Sequence, residues 1–547
     1  MSAILLATIN AKWIHPSLAL RLLKANLGAL EDKCEIIEFA LRQPLKEKTE
    51  PILAARPRLL GLSVSIWNHL ATLELLKELK KEWEKIPGRD EGPAAWPYAT
   101  KLPPHFATKF PPQKPLVVLG GPEVSWLPED AEIFRCADYV IRGEGEESFR
   151  SLCYEVFEDL RPCDRNFQNG FTNAANVSGS PVFINRGDAV ADVDRILPAY
   201  NLYTDEDLRR KFIYVEASRG CPFSCEFCHG SVQSAGVREF PLEPFLAELK
   251  TLIDRGGRRF KFLDRTFNIN MERAQRIMKF FLEQIEVLGG GLSDFVHFEM
   301  VPSRLAPEMK ELLRRFPPGS LRLEVGIQTL NRESAALIHR TGNPEEIFET
   351  LGFLSRETSA IIHADLIAGL PGEDLVSFGA GFDCLWKVLS GAGESEPAIC
   401  ISMGSSKIEV SGVRQKSRFE IQLGILKCLP GTPIARHNET HKMRYSPEPP
   451  YEVMETGVLS AADLARIKNF ARFWELIVNR SSNFVADSFP DLIPRLFPPE
   501  QLVFDRFMTL SDKLLEHFGR NWGIDRKELR SFLALYKQSH LNTEEKD

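Results

Sequence analysis

The chain has 547 residues, a formal net charge of −7, and 44% hydrophobic against 26% charged residues. That length is too great for one core and predicts roughly three or four domains. The acidic balance argues against a nucleic-acid partner, and no run approaches the about 20 apolar residues that a membrane span needs.

The opening MSAILLATINAKW lacks a charged stretch followed by a long apolar run, so no signal peptide is expected. The ten cysteines are scattered apart from one group of three, which is not the spacing of a disulfide framework. A reducing compartment, the cytoplasm, is the expectation.

Strand and helix signals alternate over the first 150 residues. AILLATIN (3–10) is an apolar run of the kind that forms a buried parallel strand. Ser17 then stands where an N-cap would precede a helix carrying Leu20, Leu23, Leu27 and Leu30 on one face. CEIIEF (34–39), RLLGLSVSI (58–66) and PLVVLGG (115–121) predict three further strands, and DYVIRGEGEESF (138–149) a short strand, a glycine turn and a helix start. The alternation implies an open parallel sheet with ligands at its carboxyl ends. Residues 87–115 read as a loop insertion and 161–180 as a flexible connector.

A second alternating series begins at Phe212, with strands expected at 212–218, 258–264, 294–301, 321–329, 360–370 and 419–429. Six β/α units predict a partial barrel with its active site at the carboxyl ends of the strands. Residues 391–417 read as an insertion in the last unit. Helix signals dominate from about 440, where Ser460 and Asp463 have capping-box spacing ahead of LARIKNFARFWELIV. Phe470, Phe473 and Trp474 there predict a core stripe, or a lid over the barrel mouth.

The three grouped cysteines are Cys221, Cys225 and Cys228, spaced C-x-x-x-C-x-x-C just after the first strand of the second series. Thiolates are soft ligands for zinc, copper(I) or iron–sulfur clusters. A structural zinc site needs four protein ligands, and only His229 stands near, awkwardly adjacent to Cys228. Three cysteines instead suit a cubane with one open iron, where a substrate or cofactor can bind.

The segment EASRGCPFSCEFCHGS, including Phe227 before the last cysteine, resembles the signature of the radical S-adenosylmethionine (SAM) superfamily. The resemblance implies a 4Fe-4S cluster on the three cysteines, SAM chelated at the open iron, and reductive cleavage of SAM to a 5′-deoxyadenosyl radical. It also implies an external one-electron donor such as flavodoxin or ferredoxin. By the same resemblance Asp264 in FLDRTFNIN contacts the SAM amino group, and Glu299 and Gln328 contact its ribose or amino-acid part. Gly369 in DLIAGLPGED permits close approach near the adenine, while Gly372 serves the turn after Pro371. Arg304, Arg332 and Arg340 read as carboxylate partners or as surface arginines.

The N-terminal half resembles the cobalamin-binding domains fused to many radical SAM enzymes, through GLSVSIWN (61–68), VVLGGPEVSWLPED (117–130) and DYVIRGEGEESF (138–149). This implies a flavodoxin-like sheet with the cofactor tail at its strand ends. Ser63 and Ser65 would bond the tail, Gly120 and Gly121 would let backbone approach it, and Gly143 and Glu144 would form the terminal turn. A sheet that has kept its shape without the cofactor is the alternative. The loop NAKWIHPSLAL departs from the cobalt-ligating Asp-x-His-x-x-Gly pattern. His15 therefore reads as structural or substrate-facing, and Trp13 and Trp67 as core residues or pocket walls.

The expected organisation is a cobalamin-binding-like domain over 1–160, a linker over 161–205, a radical SAM core over 206–435 and a helical domain over 436–547. Methyl transfer to carbon on an unknown substrate is the leading activity. The alternatives are a cobalamin-free radical SAM oxidoreductase or rearrangement enzyme, and a non-catalytic zinc or redox-sensing protein. Sulfur insertion is weakened because the remaining cysteines are too dispersed for a second cluster.

Overall fold

The structure is a computed structural model that describes residues 3–85, 114–157, 181–185, 191–231, 236–290, 295–302, 305–340, 342–390, 418–479, 489, 496 and 502–544. Almost all of the expected insertion at 87–115 and all of the connector at 161–180 and of 391–417 lie outside these residues, as does Arg304. The chain divides into two compact units, one of 1–220 with 232–259 and the other of 221–231 with 260–547.

In the first unit, β1 (Ile4–Asn10), β2 (Cys34–Ala40), β3 (Leu59–Ser63), β4 (Leu116–Gly120), β5 (Tyr139–Ile141) and β6 (Val182–Ile184) form one parallel sheet in the order β2-β1-β3-β4-β5-β6. This is the flavodoxin-like order with a strand added at one edge, and it places the topological switch point between β1 and β3.

Alternation along the strands builds two apolar layers. Leu5, Ala7, Ile9, Leu60, Leu62, Val117 and Leu119 cluster with Ile52, Leu73 and Leu76 of the helices Leu45–Ala55 and His69–Glu84. Ile4, Leu6, Leu59, Val118 and Ile141 cluster with Leu20 and with Phe149 and Leu152 of the helices Leu18–Ala25 and Glu146–Val156. Burial on both faces is why these strands read as unbroken apolar runs. Ser17 caps its helix as expected, its hydroxyl accepting from the N–H of Leu20. The same unit also contains β7 (Ile213–Val215) and the short antiparallel pair β8 (Ser218–Arg219) and β9 (Arg238–Glu239).

The second unit contributes β10 (Phe260–Phe262), β11 (Val296–Met300), β12 (Leu321–Gln328), β13 (Ile361–Ala368) and β14 (Arg418–Ile425), each parallel to the next and in sequential order. Sequential parallel strands separated by helices are the pattern of a barrel sheet rather than a doubly wound one. Here the alternation is amphipathic. In β12, Leu321, Leu323, Val325 and Ile327 are buried while Arg322, Glu324, Gly326 and Gln328 occupy the other face.

A small hairpin, β15 (Arg444–Tyr445) and β16 (Val453–Glu455), precedes the helix Ala461–Ile477, whose capping box of Ser460 and Asp463 is formed. The hairpin was not foreseen in a stretch expected to be helical. Phe470, Phe473 and Trp474 are buried, and Phe470 and Trp474 pack on Phe382, Phe504 and Phe507 as core. Among the described residues no helix is long and apolar enough to cross a membrane.

Candidate active site

The cysteine loop begins at Gly220, whose φ of +94° suits glycine and whose missing Cβ would lie 2.0 Å from the carbonyl oxygen of Gly236. Within the loop the N–H of Cys228 donates to the carbonyl of Cys225 at 3.1 Å, and the N–H of Gly230 points at Cys228 Sγ at 3.4 Å. A Cβ on Gly230 would stand 3.4 Å from Cys221 Cβ and 3.6 Å from Cys228 Sγ. Gly230 thus lies against both the first and the third cysteine, in ordinary contact distance.

Cys225 is buried, whereas Cys221 and Cys228 are partly exposed. Burial pushes the Cys221 thiol up, and proximity to Cys228 and Cys225 adds to this, while the N–H of Phe223 and the charge of Arg265 oppose it. Among the described residues no three His, Cys, Asp or Glu side chains are grouped so as to hold one metal ion. A cubane makes a different demand, because each thiolate binds a different iron. The donor set of three neighbouring thiols fits that group.

Two links lead from the cysteines to the strand ends. Arg265, after β10, acts electrostatically on both Cys221 and Glu299. The Glu299 carboxyl, on β11, is pushed up to about 7, chiefly by burial and further by Glu324 and Asp264, with Arg265 and Lys261 opposing. Asp264 is itself buried. The second link is Arg340, whose Nη1 lies 3.6 Å from Cys225 Sγ and whose Nη2 donates to the carbonyl of Gly326. The β12–β13 register shifts between Gly326 and Gln328, and Gln328 adopts a φ of +72°. A bulge with a non-glycine residue in the left-handed region is the kind of irregularity that re-aims a side chain at a functional site. Glu299 and the β12 backbone at Gly326 are therefore connected to the trio through two arginines. Of these, Arg340 had two readings in the sequence and Arg265 had none. Arg332 pairs with Glu345 on the surface.

Gly369 differs. Its φ is +88°, but a Cβ there would meet Val453 Cγ1 at 2.5 Å, so the close neighbour is β16. Gly372, at φ +81°, follows Pro371 as expected. Behind them the polar face of the sheet carries a row of charges. His297 and Lys261 hold the Glu324 carboxylate down at about 2, although burial opposes them. The Asp365 carboxyl is pushed up to about 7 by burial and then by Glu324 and Glu299.

Glu226, between Cys225 and Phe227, passed unremarked in the sequence and is 2% exposed. The only signal was a charge inside a tight cysteine spacing. Phe227 beside it is partly exposed.

In the first unit, Ser63, Ser65, Gly120 and Gly121 lie at the carboxyl ends of β3 and β4, and Gly143 and Glu144 follow β5. Asn68 fixes the two serines: its Oδ1 accepts from the N–H of Ser65 at 2.8 Å, and its Nδ2 donates to the carbonyls of Ile9 and Ser63 at 2.9 and 3.3 Å. Gly121, at φ +106°, would place a Cβ 2.6 Å from the carbonyl oxygen of Val64, whereas Gly120 has its nearest atom at 3.8 Å. Gly143 donates its N–H to Ser125 Oγ at 3.0 Å. Glu144 is engaged by Arg219, Arg238 and the N–H of Ala191. His15 bonds the Tyr214 hydroxyl at 2.7 Å and stacks on Phe212, a structural role. Trp67 and Trp13 are 53% and 47% exposed, so neither packs in the core as expected. Trp13 lies under Arg210 and Lys211.

Residues 215–380 match the family model of the radical SAM superfamily, and residues 439–486 match a family described as a protein of unknown function, DUF4080. An uncharacterized methyltransferase, PH0819, of Pyrococcus horikoshii is 33% identical over 165 residues, 29% of this chain and 35% of that protein. The anaerobic magnesium-protoporphyrin IX monomethyl ester cyclase of Rubrivivax gelatinosus is 26% identical over 191 residues, 33% of this chain and 28% of its own. The matches thus span about a third of these curated relatives. The structure of the cobalamin-dependent S-adenosylmethionine radical enzyme OxsB is similar in fold, with a TM-score of 0.59 over 99% of this chain and 80% of its own at 13% identity.

Proposed function

We propose, from the match of residues 215–380 to the radical SAM family model, that the chain is a cobalamin-dependent radical SAM enzyme that transfers a methyl group to carbon. Cys221, Cys225 and Cys228 hold the 4Fe-4S cluster, and Asp264, Glu299 and Gln328 meet SAM. When bound, the cluster supplies the electron for reductive cleavage of SAM, and cobalamin supplies a methyl carrier. The chain's own residues bind and orient. Arg265 opposes the burial that pushes the Cys221 thiol up, and Arg340 sets its Nη1 3.6 Å from Cys225 Sγ. Phe227 lies next to the third cysteine. Residues 1–160 form the cobalamin-binding domain, 206–435 the core and 436–547 the helical domain, and an external one-electron donor such as flavodoxin or ferredoxin reduces the cluster.

The observation that carries this reading is the pair of arginine links between three neighbouring thiols and the ends of β10, β11 and β12. The cobalamin part draws on the flavodoxin-like order, the switch point beside β3 and the exposed Trp67. Gly121 favours a second, cobalamin-free radical SAM reading, because its close approach is to Val64 of its own chain.

Anaerobic purification with cobalamin present separates the two. The expected result is about four iron and four sulfide per chain, retained cobalamin, 5′-deoxyadenosine on reduction with SAM, and label in the product from deuterated methyl-SAM. Cys225→Ala should abolish 5′-deoxyadenosine formation. One zinc without sulfide, or SAM cleavage surviving in that variant, overturns the assignment. Unlabelled product removes methyl transfer alone.

A further inference from the structure

Glu226 lies between two residues of the cysteine motif, and its carboxylate is nearly inaccessible to water. An ionised carboxylate is costly to bury unless its oxygens are paired. Here both are. Oε2 accepts from Arg436 Nε at 2.9 Å and His437 Nε2 at 2.8 Å, and Oε1 meets Arg436 Nη2 at 2.5 Å and His339 Nδ1 at 3.2 Å. The peptide groups of Glu226 are held as well. Its N–H donates to the carbonyl of Ile338 at 3.1 Å, and its carbonyl accepts from the N–H of Ile434 at 3.1 Å.

Two segments remote in sequence therefore grip one loop residue. The segment 338–340 follows the helix Arg332–Leu337 and also brings Arg340 to Cys225. The segment 430–437 follows β14 and also accepts His229 Nε2 at the carbonyl of Pro430, at 2.9 Å. Residues 434–437 lie beyond the stretch 215–380 that matches the superfamily. An apolar side chain would fill the same space without the desolvation cost, so the charge is best explained by what it fixes in place.

We propose that Glu226, with Arg436 and His437, is a positioning device that sets the cysteine loop in its cluster-binding conformation. The inference rests on the reading of Cys221, Cys225 and Cys228 as cluster ligands. Glu226 acts through its neighbours and touches none of the reacting atoms. Partners that orient metal ligands typically change affinity by about 10- to 100-fold when removed.

The test compares wild type with Glu226→Ala, Glu226→Gln, Arg436→Ala and Arg436→Lys in the full chain, reconstituted anaerobically with iron and sulfide. Arg436 is 54% exposed, so its substitutions leave the core intact and keep the test valid if Glu226→Ala fails to fold. The alanine variants should lose iron to a ferrous chelator about 10-fold faster or more and show a broadened electron paramagnetic resonance signal for the reduced cluster. Arg436→Lys and Glu226→Gln should recover part of the difference. In metal-free protein, iodoacetamide should alkylate Cys225 faster in both alanine variants than in wild type. Iron release, spectrum and alkylation all matching wild type would overturn the proposal. A wild type that takes up no iron and sulfide would overturn the cluster reading instead, with the alkylation rates still deciding whether Glu226 holds the loop.

Discussion

Single residues on the polar face of the second unit differ most in how the fold sets their charge. Burial holds Glu299 at about 7 and His297 holds Glu324 at about 2, although the register sets the two side by side across β11 and β12. Glu299 binds its proton more tightly folded than unfolded. Its stabilising contribution is therefore full below about pH 4.5 and fades as pH rises through about 7. Glu324 has the opposite sign, contributing above about pH 4.5 and losing that contribution as pH falls toward 2. Glu299→Gln should accordingly raise the thermal midpoint of the metal-free protein at pH 8 and leave it unchanged at pH 4.5. Each pKa unit is worth about 1.4 kcal/mol. His363, pushed down to about 3 by burial and then by Arg322, also titrates differently on unfolding. It is common to both proteins and does not set the sign of the difference, whereas Asp365, which Glu299 also pushes up, adds to that difference in the same direction. A parallel pair of pH–midpoint curves would refute this account of the site.

Elements are joined by side chains whose partners lie far away in sequence. Asp383, on the helix Leu375–Ser390, accepts from the N–H groups of Val503 and Phe504 at 2.6 and 2.9 Å. It thereby supplies the helix Phe504–Phe518 with the cap that Val503 cannot provide. Burial pushes its carboxyl up to about 6 despite those two bonds. Removing a cap costs about 0.5–2 kcal/mol. Asp383→Ala should lower the urea midpoint by that order, whereas Asp383→Asn keeps the acceptor oxygen and should fall between the two proteins. Equal losses in both variants would mean that packing, rather than the cap, is at stake. Gly369 makes the same point sterically, since beyond its φ of +88° the tertiary placement of Val453 leaves a Cβ no room in the turn after β13.

At the scale of the whole molecule, the first unit is tied together by one ion network. Arg219 contacts Glu144 at 3.1 Å, Glu146 at 2.6 Å and Glu216 at 2.7 Å, while Arg238 holds Glu144 from β9. The turn after β5 is thus fastened to the residues that lead into Cys221. Arg219 is held more firmly protonated by Glu216 and Glu146 although burial opposes it, and Glu144 is held below the usual carboxylate range by Arg238 and Arg219 against the same opposition. Arg219→Met would strand buried carboxylates, a loss of about 3–5 kcal/mol. The triple variant Arg219→Met, Glu146→Gln, Glu216→Gln should recover most of it in chemical denaturation. If the triple variant proves less stable than the single one, the network is not what binds this region.

The parallel strands and the cysteine motif were legible in the sequence because both are local patterns. Apolar runs mark strands covered on two faces, and a C-x-x-x-C-x-x-C spacing is itself a ligand set. The strands expected at 58–66 and 419–429 fall on Leu59–Ser63 and Arg418–Ile425 for that reason. What could not be read were pairings across long separations. A charge at 226 carries no mark of Arg436, an aspartate at 383 none of Phe504, and a glycine at 369 none of Val453. The strand Val182–Ile184 and the hairpin at 444–455 also escaped. Residue type and spacing determined the sheets and the three thiols. Burial, which depends on the folded neighbourhood, decided which carboxyls hold protons and which side chains grip the loop.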